Sequence, residues 1–199
     1  MKYGKNLFVM LFLFSTSTNA QAPHISVPAT IPGISSLFVF RPETAQPLRE
    51  LAQILLYDES TLSRGERELI ASYVSYRNNC NFCCNSHSAI ATHHLNGDQT
   101  IVQAVKNDVA TAPVSEKMKA LLTLAGQVQQ SGRMVTQETV AQAKEHGATD
   151  KEIHDTVLIA AAFCMYNRYV DGLAAFTPTE QSAYDAIGKI VGEHGYVRK

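Results

Sequence analysis

From Glu43 to the C-terminus, apolar positions recur every three or four residues, the period of an amphipathic helix. Leu48, Leu51, Ala52 and Leu55 follow it over Glu43–Tyr57. Ser63-Arg-Gly-Glu66 is a capping box, and it opens a helix carrying Leu69, Ile70, Tyr73 and Val74. The next helix runs through Cys80–Leu95 and stops at Asn96-Gly97. Asp98, Ser115 and Thr136 each precede an apolar-periodic stretch and read as N-caps. Thr149-Asp-Lys-Glu152 is a second capping box. The helix it opens, Ile153 to about Val170, is apolar on most sides and is therefore expected to be central. Thr177-Pro-Thr-Glu180 reads as a third box, with Pro178 at the first helical position. No alternating apolar/polar run competes as a strand. The prediction is an all-α fold with a single helical domain over residues 43–199. Residues 21–42 carry Pro23, Pro28, Pro32, Gly33 and Pro42 and are expected to form an extended lead-in that wraps the domain.

The first 20 residues follow a different pattern. Lys2 and Lys5 precede the unbroken apolar run Leu7 to Phe14, and small residues follow from Ser15 to Ala22. That order is expected of a secretory signal peptide cleaved near Ala20 or Ala22, giving a periplasmic or secreted protein. The run is far short of the ~20 residues of a spanning helix, and no membrane span is expected in the mature form. Without the leader, 15 basic residues face 18 acidic ones, a net charge of −3. Such a balance offers no electrostatic footprint for nucleic acid. At 199 residues and 45% hydrophobic content, the chain can bury a core without disulfides.

Three of the four cysteines, Cys80, Cys83 and Cys84, fall within five positions, and His87 follows. A helix turns about 100° per residue, so with Cys80 at zero, Cys83 falls near −60°, Cys84 near +40° and His87 near −20°, on one stripe about 100° wide. Thiol chemistry suits that stripe, because the thiolate is the nucleophile and an ordinary thiol is mostly protonated at neutral pH. The helix dipole is expected to favour a thiolate at Cys80, and His87 can relay a proton. A neighbouring thiol can resolve a sulfenic acid. Inert packing, a static disulfide and a Cys-x2-Cys-x3-His metal site are the competing uses of the same residues.

The spacing Glu68, eleven residues, Cys80, two residues, Cys83, three residues, His87 resembles that of the alkyl hydroperoxidase D-like proteins of the carboxymuconolactone decarboxylase superfamily. The later stretch Ala160–Leu173, with Asn167-Arg168 and Asp171-Gly172-Leu173, is similar to the closing helix of that family. The resemblance covers roughly residues 45–175. It implies a helical domain that assembles into homotrimers or homohexamers. It also implies a peroxide substrate and a redox-active pair served by a dithiol electron donor or a peroxiredoxin partner. Cys83 would carry the sulfenic acid, Cys80 would be proton donor and resolving thiol, and Glu68 and His87 would form the proton relay. The chain departs from the pattern at Cys84, an extra thiol beside the motif, and at Phe82, where peroxidases of the family often carry a polar or His residue. A thiol–disulfide oxidoreductase acting on proteins is the alternative use of the same pair.

The remaining candidates read as ordinary. Cys164 sits in an apolar helix as a core residue, with a bridge to Cys84 as the minor option. His93 and His94 are expected to face solvent near a helix end, although His94 could extend the thiol stripe. Tyr73, Tyr76 and Tyr169 could line a pocket but sit at core spacing. There is no glycine-rich phosphate loop or nucleotide fingerprint, so the sequence calls for no cofactor.

Overall fold

A computed structural model describes residues 22–197. The leader expected at residues 1–20 lies outside them. Among the described residues there are nine α-helices and no strand. They are α1 (Ile34–Phe40), α2 (Pro42–Ala52), α3 (Arg64–Arg77), α4 (Asn81–His94), α5 (Gln99–Asn107), α6 (Glu116–Gln130), α7 (Gln137–Glu145), α8 (Asp150–Gly172) and α9 (Gln181–His194). No described helix is long and apolar enough to cross a membrane.

The local signals act where the sequence puts them. Ser63 and Glu66 close a capping box on α3, and Thr149 and Glu152 close another on α8. The Asp98, Ser115 and Thr136 side chains accept backbone N–H groups at the starts of α5, α6 and α7. Each substitutes for a turn of helix that is not there to bond the first amides. Pro42 takes the first position of α2, and Pro47 is carried inside it. The residues after α2 continue as a π-helical turn, Gln53–Tyr57.

Two expectations change. Within the lead-in expected over 21–42 to be extended, residues 34–40 form α1. This stretch contains no proline, and it buries Ser36, Leu37 and Phe38. Ahead of α1 the lead-in does lie against the domain: His24 donates its backbone N–H to the Leu173 carbonyl, and Gly33 donates to Phe176. The third box is not formed either. α9 starts at Gln181, with Glu180 as an N-cap that makes no side-chain cap bond. Thr177 instead donates its hydroxyl to the Ala175 carbonyl, and the Pro178 carbonyl is taken by the Tyr184 hydroxyl at 2.7 Å.

α3 is the hub. Ten of its residues, Gly65 and Arg67 through Ser75, are buried. It packs against α4 on one side and against α6 and α8 on the other, and α9 covers the outer side of α4. α4 and α9 approach closely at Gly188, where an added Cβ would lie 2.9 Å from the Ala89 backbone. The main core joins α3, α6 and α8 through Ile70, Val74, Leu121, Leu122, Leu124 and Ile159. A second, smaller core gathers Leu37, Cys80, Phe82, Cys83, Val170, Ala175 and Tyr184 at the start of α4. The thiols sit in this second core.

Candidate active site

α3 and α4 form a hairpin whose turn passes through Asn79, a residue in the left-handed region at φ 58°. Asn167 of α8 fixes that turn. Its amide donates to Ser75 Oγ at 3.1 Å, and its carbonyl oxygen accepts from Asn78 at 2.8 Å. The hairpin brings Glu68, near the middle of α3, beside His87 of α4.

Cys80 lies at the N-cap of α4 with an extended backbone, so it is not on the helical stripe with the other three residues. It is fully buried. The expected sign of its titration is also reversed. A hydrogen bond from the Cys80 thiol to the Cys83 sulfur and burial push the Cys80 thiol far up, and this outweighs the opposing bond from the Cys83 backbone amide. Cys80 is thus the thiol held protonated. Beside it, burial raises the Asp171 carboxyl, while a hydrogen bond with Cys80 opposes the rise.

Cys83 and His87, one turn apart on α4, open onto one cavity of about 210 Å³. Ile34, Phe38, Leu48, Ile90, Phe163 and Ile187 give it apolar walls. Cys83 is 5% exposed. Glu68 is buried to 1%, and its Oε2 lies 2.7 Å from His87 Nδ1. A carboxylate only accepts, so Nδ1 carries the hydrogen and Nε2 is the ring's proton-exchanging end. The edge of the imidazole meets the face of Phe163 at a centroid distance of 4.5 Å, which fixes the ring plane.

The structure therefore opens His87 and Cys83 onto one cavity, with Glu68 held behind His87 and Cys80 hydrogen-bonded to Cys83, neither of the two on the cavity wall. Cys84 is buried and does not line the cavity. Cys164 is half-buried, accepting from Asn78 Nδ2 at 3.6 Å, and all four cysteines are free thiols. Among the described residues, no group of three or more His, Cys, Asp or Glu side chains is placed to hold a metal ion. His93 is exposed as expected. His94 is not solvent-facing: its Nε2 is buried without a partner, and burial lowers its pKa.

The tyrosines at the cavity are not those the sequence pointed to. Tyr73 is core, Tyr76 is exposed and Tyr169 packs on the smaller core. Tyr166 and Tyr196 line the cavity instead. Tyr166 donates to the Leu48 carbonyl at 2.9 Å, and burial raises its pKa to about 12. Tyr196 donates its hydroxyl to Glu68 Oε1. No pattern singles out Tyr196 in the sequence, since it lies beyond the last helix and 109 residues from His87.

Residues 42–126 match the carboxymuconolactone decarboxylase family, and this segment contains Glu68, Cys80, Cys83 and His87. No curated protein matches the chain. Solved structures that share its fold include two peroxidase-related proteins. One is an alkylhydroperoxidase AhpD core, an uncharacterized peroxidase-related protein from Ralstonia eutropha JMP134. It has 23% identity and a TM-score of 0.70, over 80% of this chain and 82% of that one. The other is an uncharacterized peroxidase-related protein from Silicibacter sp. TM1040. It has 21% identity and a TM-score of 0.73, over 85% of this chain and 97% of that one. Residues 42–126 thus match the carboxymuconolactone decarboxylase family, and the fold of the chain is the alkylhydroperoxidase D-like one.

Proposed function

We propose that the protein is an exported thiol-dependent peroxidase. The observation that carries this reading is the 2.7 Å bond between Glu68 and His87 at a cavity onto which Cys83 opens. The Cys83 proton passes to His87 Nε2. The thiolate attacks the terminal oxygen of a hydroperoxide, the O–O bond breaks, and the leaving alkoxide takes that proton, giving an alcohol and Cys83 sulfenic acid. Cys80, protonated until this point, attacks the sulfenic sulfur. An S–S bond forms, and the hydroxyl leaves as water with the Cys80 proton. An external dithiol then reduces the Cys80–Cys83 bridge and is itself oxidised to a disulfide.

The cavity supports an organic hydroperoxide as substrate. Its walls are mostly apolar, and at about 210 Å³ it exceeds the roughly 150 Å³ apolar cavity that admits benzene. The burial of Cys83 favours a small molecule over a protein disulfide. With the leader expected at residues 1–20, the reading is of an exported protein whose reductant is an exported dithiol. The test is consumption of cumene hydroperoxide with dithiothreitol as reductant. Wild type turns over and Cys83→Ser does not; equal rates overturn the assignment.

A further inference from the structure

Gly195 and Tyr196, just after α9, are built into the cavity wall. α9 ends at His194, and Gly195 turns the backbone at φ +74°. A Cβ at Gly195 would lie 2.5 Å from Gln53 Oε1 and 3.0 Å from the Tyr57 ring. Only glycine lets the tail approach this closely in that conformation. Gln53 Oε1 then accepts the backbone N–H of Tyr196 at 2.8 Å and that of Val197 at 3.2 Å. Tyr57 donates its hydroxyl to the Glu193 carbonyl at 2.8 Å. Gln53 and Tyr57 are the first and last residues of the π-helical turn, a type of irregularity often found at functional sites.

The clamp delivers one side chain inward. The Tyr196 hydroxyl donates to Glu68 Oε1, lies 3.4 Å from His87 Nδ1, and its ring runs nearly parallel to the imidazole. Both Glu68 oxygens are then occupied, Oε2 by His87 and Oε1 by the phenol. A buried carboxylate with a donor on each oxygen cannot rotate without losing one of them.

We infer that Tyr196 is a positioning residue of the relay: it pins the Glu68 carboxylate so that Glu68 holds His87 in one tautomer at the cavity wall. Burial beside Glu68 keeps the phenol protonated, so it acts as a donor throughout. Its hydrogen is committed to Glu68, which leaves Nε2 of His87 as the group that faces the chemistry. The inference rests on the reading that this relay serves Cys83, but its test needs no peroxide.

The test uses the full chain with ¹⁵N-labelled histidine and follows the His87 Nδ1–H proton resonance. In wild type it is downfield and protected from exchange. In Tyr196→Phe, which keeps the ring, the resonance moves upfield or is lost to exchange, and iodoacetamide alkylation of Cys83 slows about tenfold. Gly195→Ala produces the same two changes with the phenol still in the chain. A Tyr196→Phe resonance at its wild-type position overturns the inference, and slower alkylation with an unmoved resonance does so too, by marking a packing role alone. If circular dichroism shows Tyr196→Phe unfolded, Gly195→Ala decides by the same readouts: a shifted resonance supports the inference and an unmoved one overturns it. Wild type that shows the resonance and the Tyr196→Phe response but turns over no peroxide overturns the proposed activity and leaves the positioning role standing.

Discussion

Two glutamates are almost completely buried, Glu68 at 1% and Glu152 at 3% exposure, and they solve the same electrostatic problem with different partners. Glu152 sits in the first turn of α8. Its Oε2 closes the capping box with Thr149, and its Oε1 accepts from Lys117 at 2.8 Å. Burial alone would raise its pKa, but the Lys117 bond and the Thr149 donors outweigh burial and lower it. Glu68 lies inside α3, where no helix end helps it. Its partners are an imidazole, which can take up or release a proton, and a phenol brought from the far end of the chain. Glu152 is paired with a permanent cation and locked for stability. Glu68 is paired with a switchable group at a cavity that holds a thiol, an arrangement suited to moving protons.

If this contrast is sound, damage to the two regions is felt in different assays. The largest effect falls on activity: Cys83→Ser abolishes peroxide turnover, a loss of roughly 10³-fold or more, with little change in the thermal melt. Glu68→Gln keeps the shape of the side chain and removes its charge. Turnover is expected to fall roughly 10²-fold while stability stays within about 1 kcal/mol, measured by initial rates and urea unfolding. Glu152→Gln reverses the pattern. It costs about 1–2 kcal/mol, or about 4 °C in the melting temperature, and leaves turnover per folded molecule unchanged. An equal loss of activity in the two glutamine variants would break the comparison.

The smallest effect concerns pH. The folded-state pKa of His94 is lowered by burial, so folding favours its neutral form. Its contribution to stability is complete above the unfolded value of about 6.5 and is lost as pH falls below it. The Glu152 contribution has its own window, because a lowered carboxyl pKa withdraws stability only as pH falls below the unfolded value of about 4.3. Between pH 7.5 and 5.5, His94→Gln is therefore expected to lose about 2 °C less of melting temperature than wild type, by differential scanning calorimetry. A wild-type slope unchanged by the substitution contradicts the assignment.

The same pair of glutamates marks how far the sequence could be read. Glu152 was legible because a capping box is local, three residues from cap to carboxylate. Helix starts set by Ser63, Asp98, Ser115 and Thr136 were legible for the same reason. Glu68 was legible only through its spacing to the cysteines in a known family, since its partner is 19 residues away on another helix. Tyr196 was invisible, because its role depends on Gln53, Gly195 and the packing of α9. The titration of Cys80 also depends on context. Cys80 does sit at the start of α4, but burial and the Cys83 sulfur outweigh the helix dipole there and reverse the sign. The failed box at Thr177 shows the converse. A correct local pattern yields when Ala175 and Tyr184 offer its groups other partners.

The central claim is that Cys83 is the sulfur that meets peroxide and Cys80 the one that closes on it. The most direct measurement adds one equivalent of cumene hydroperoxide to the reduced protein, alkylates the remaining thiols and maps the peptides by mass spectrometry. A Cys80–Cys83 bridge, with Cys84 and Cys164 alkylated, is the predicted result; a bridge through Cys84, or four alkylated cysteines, contradicts it.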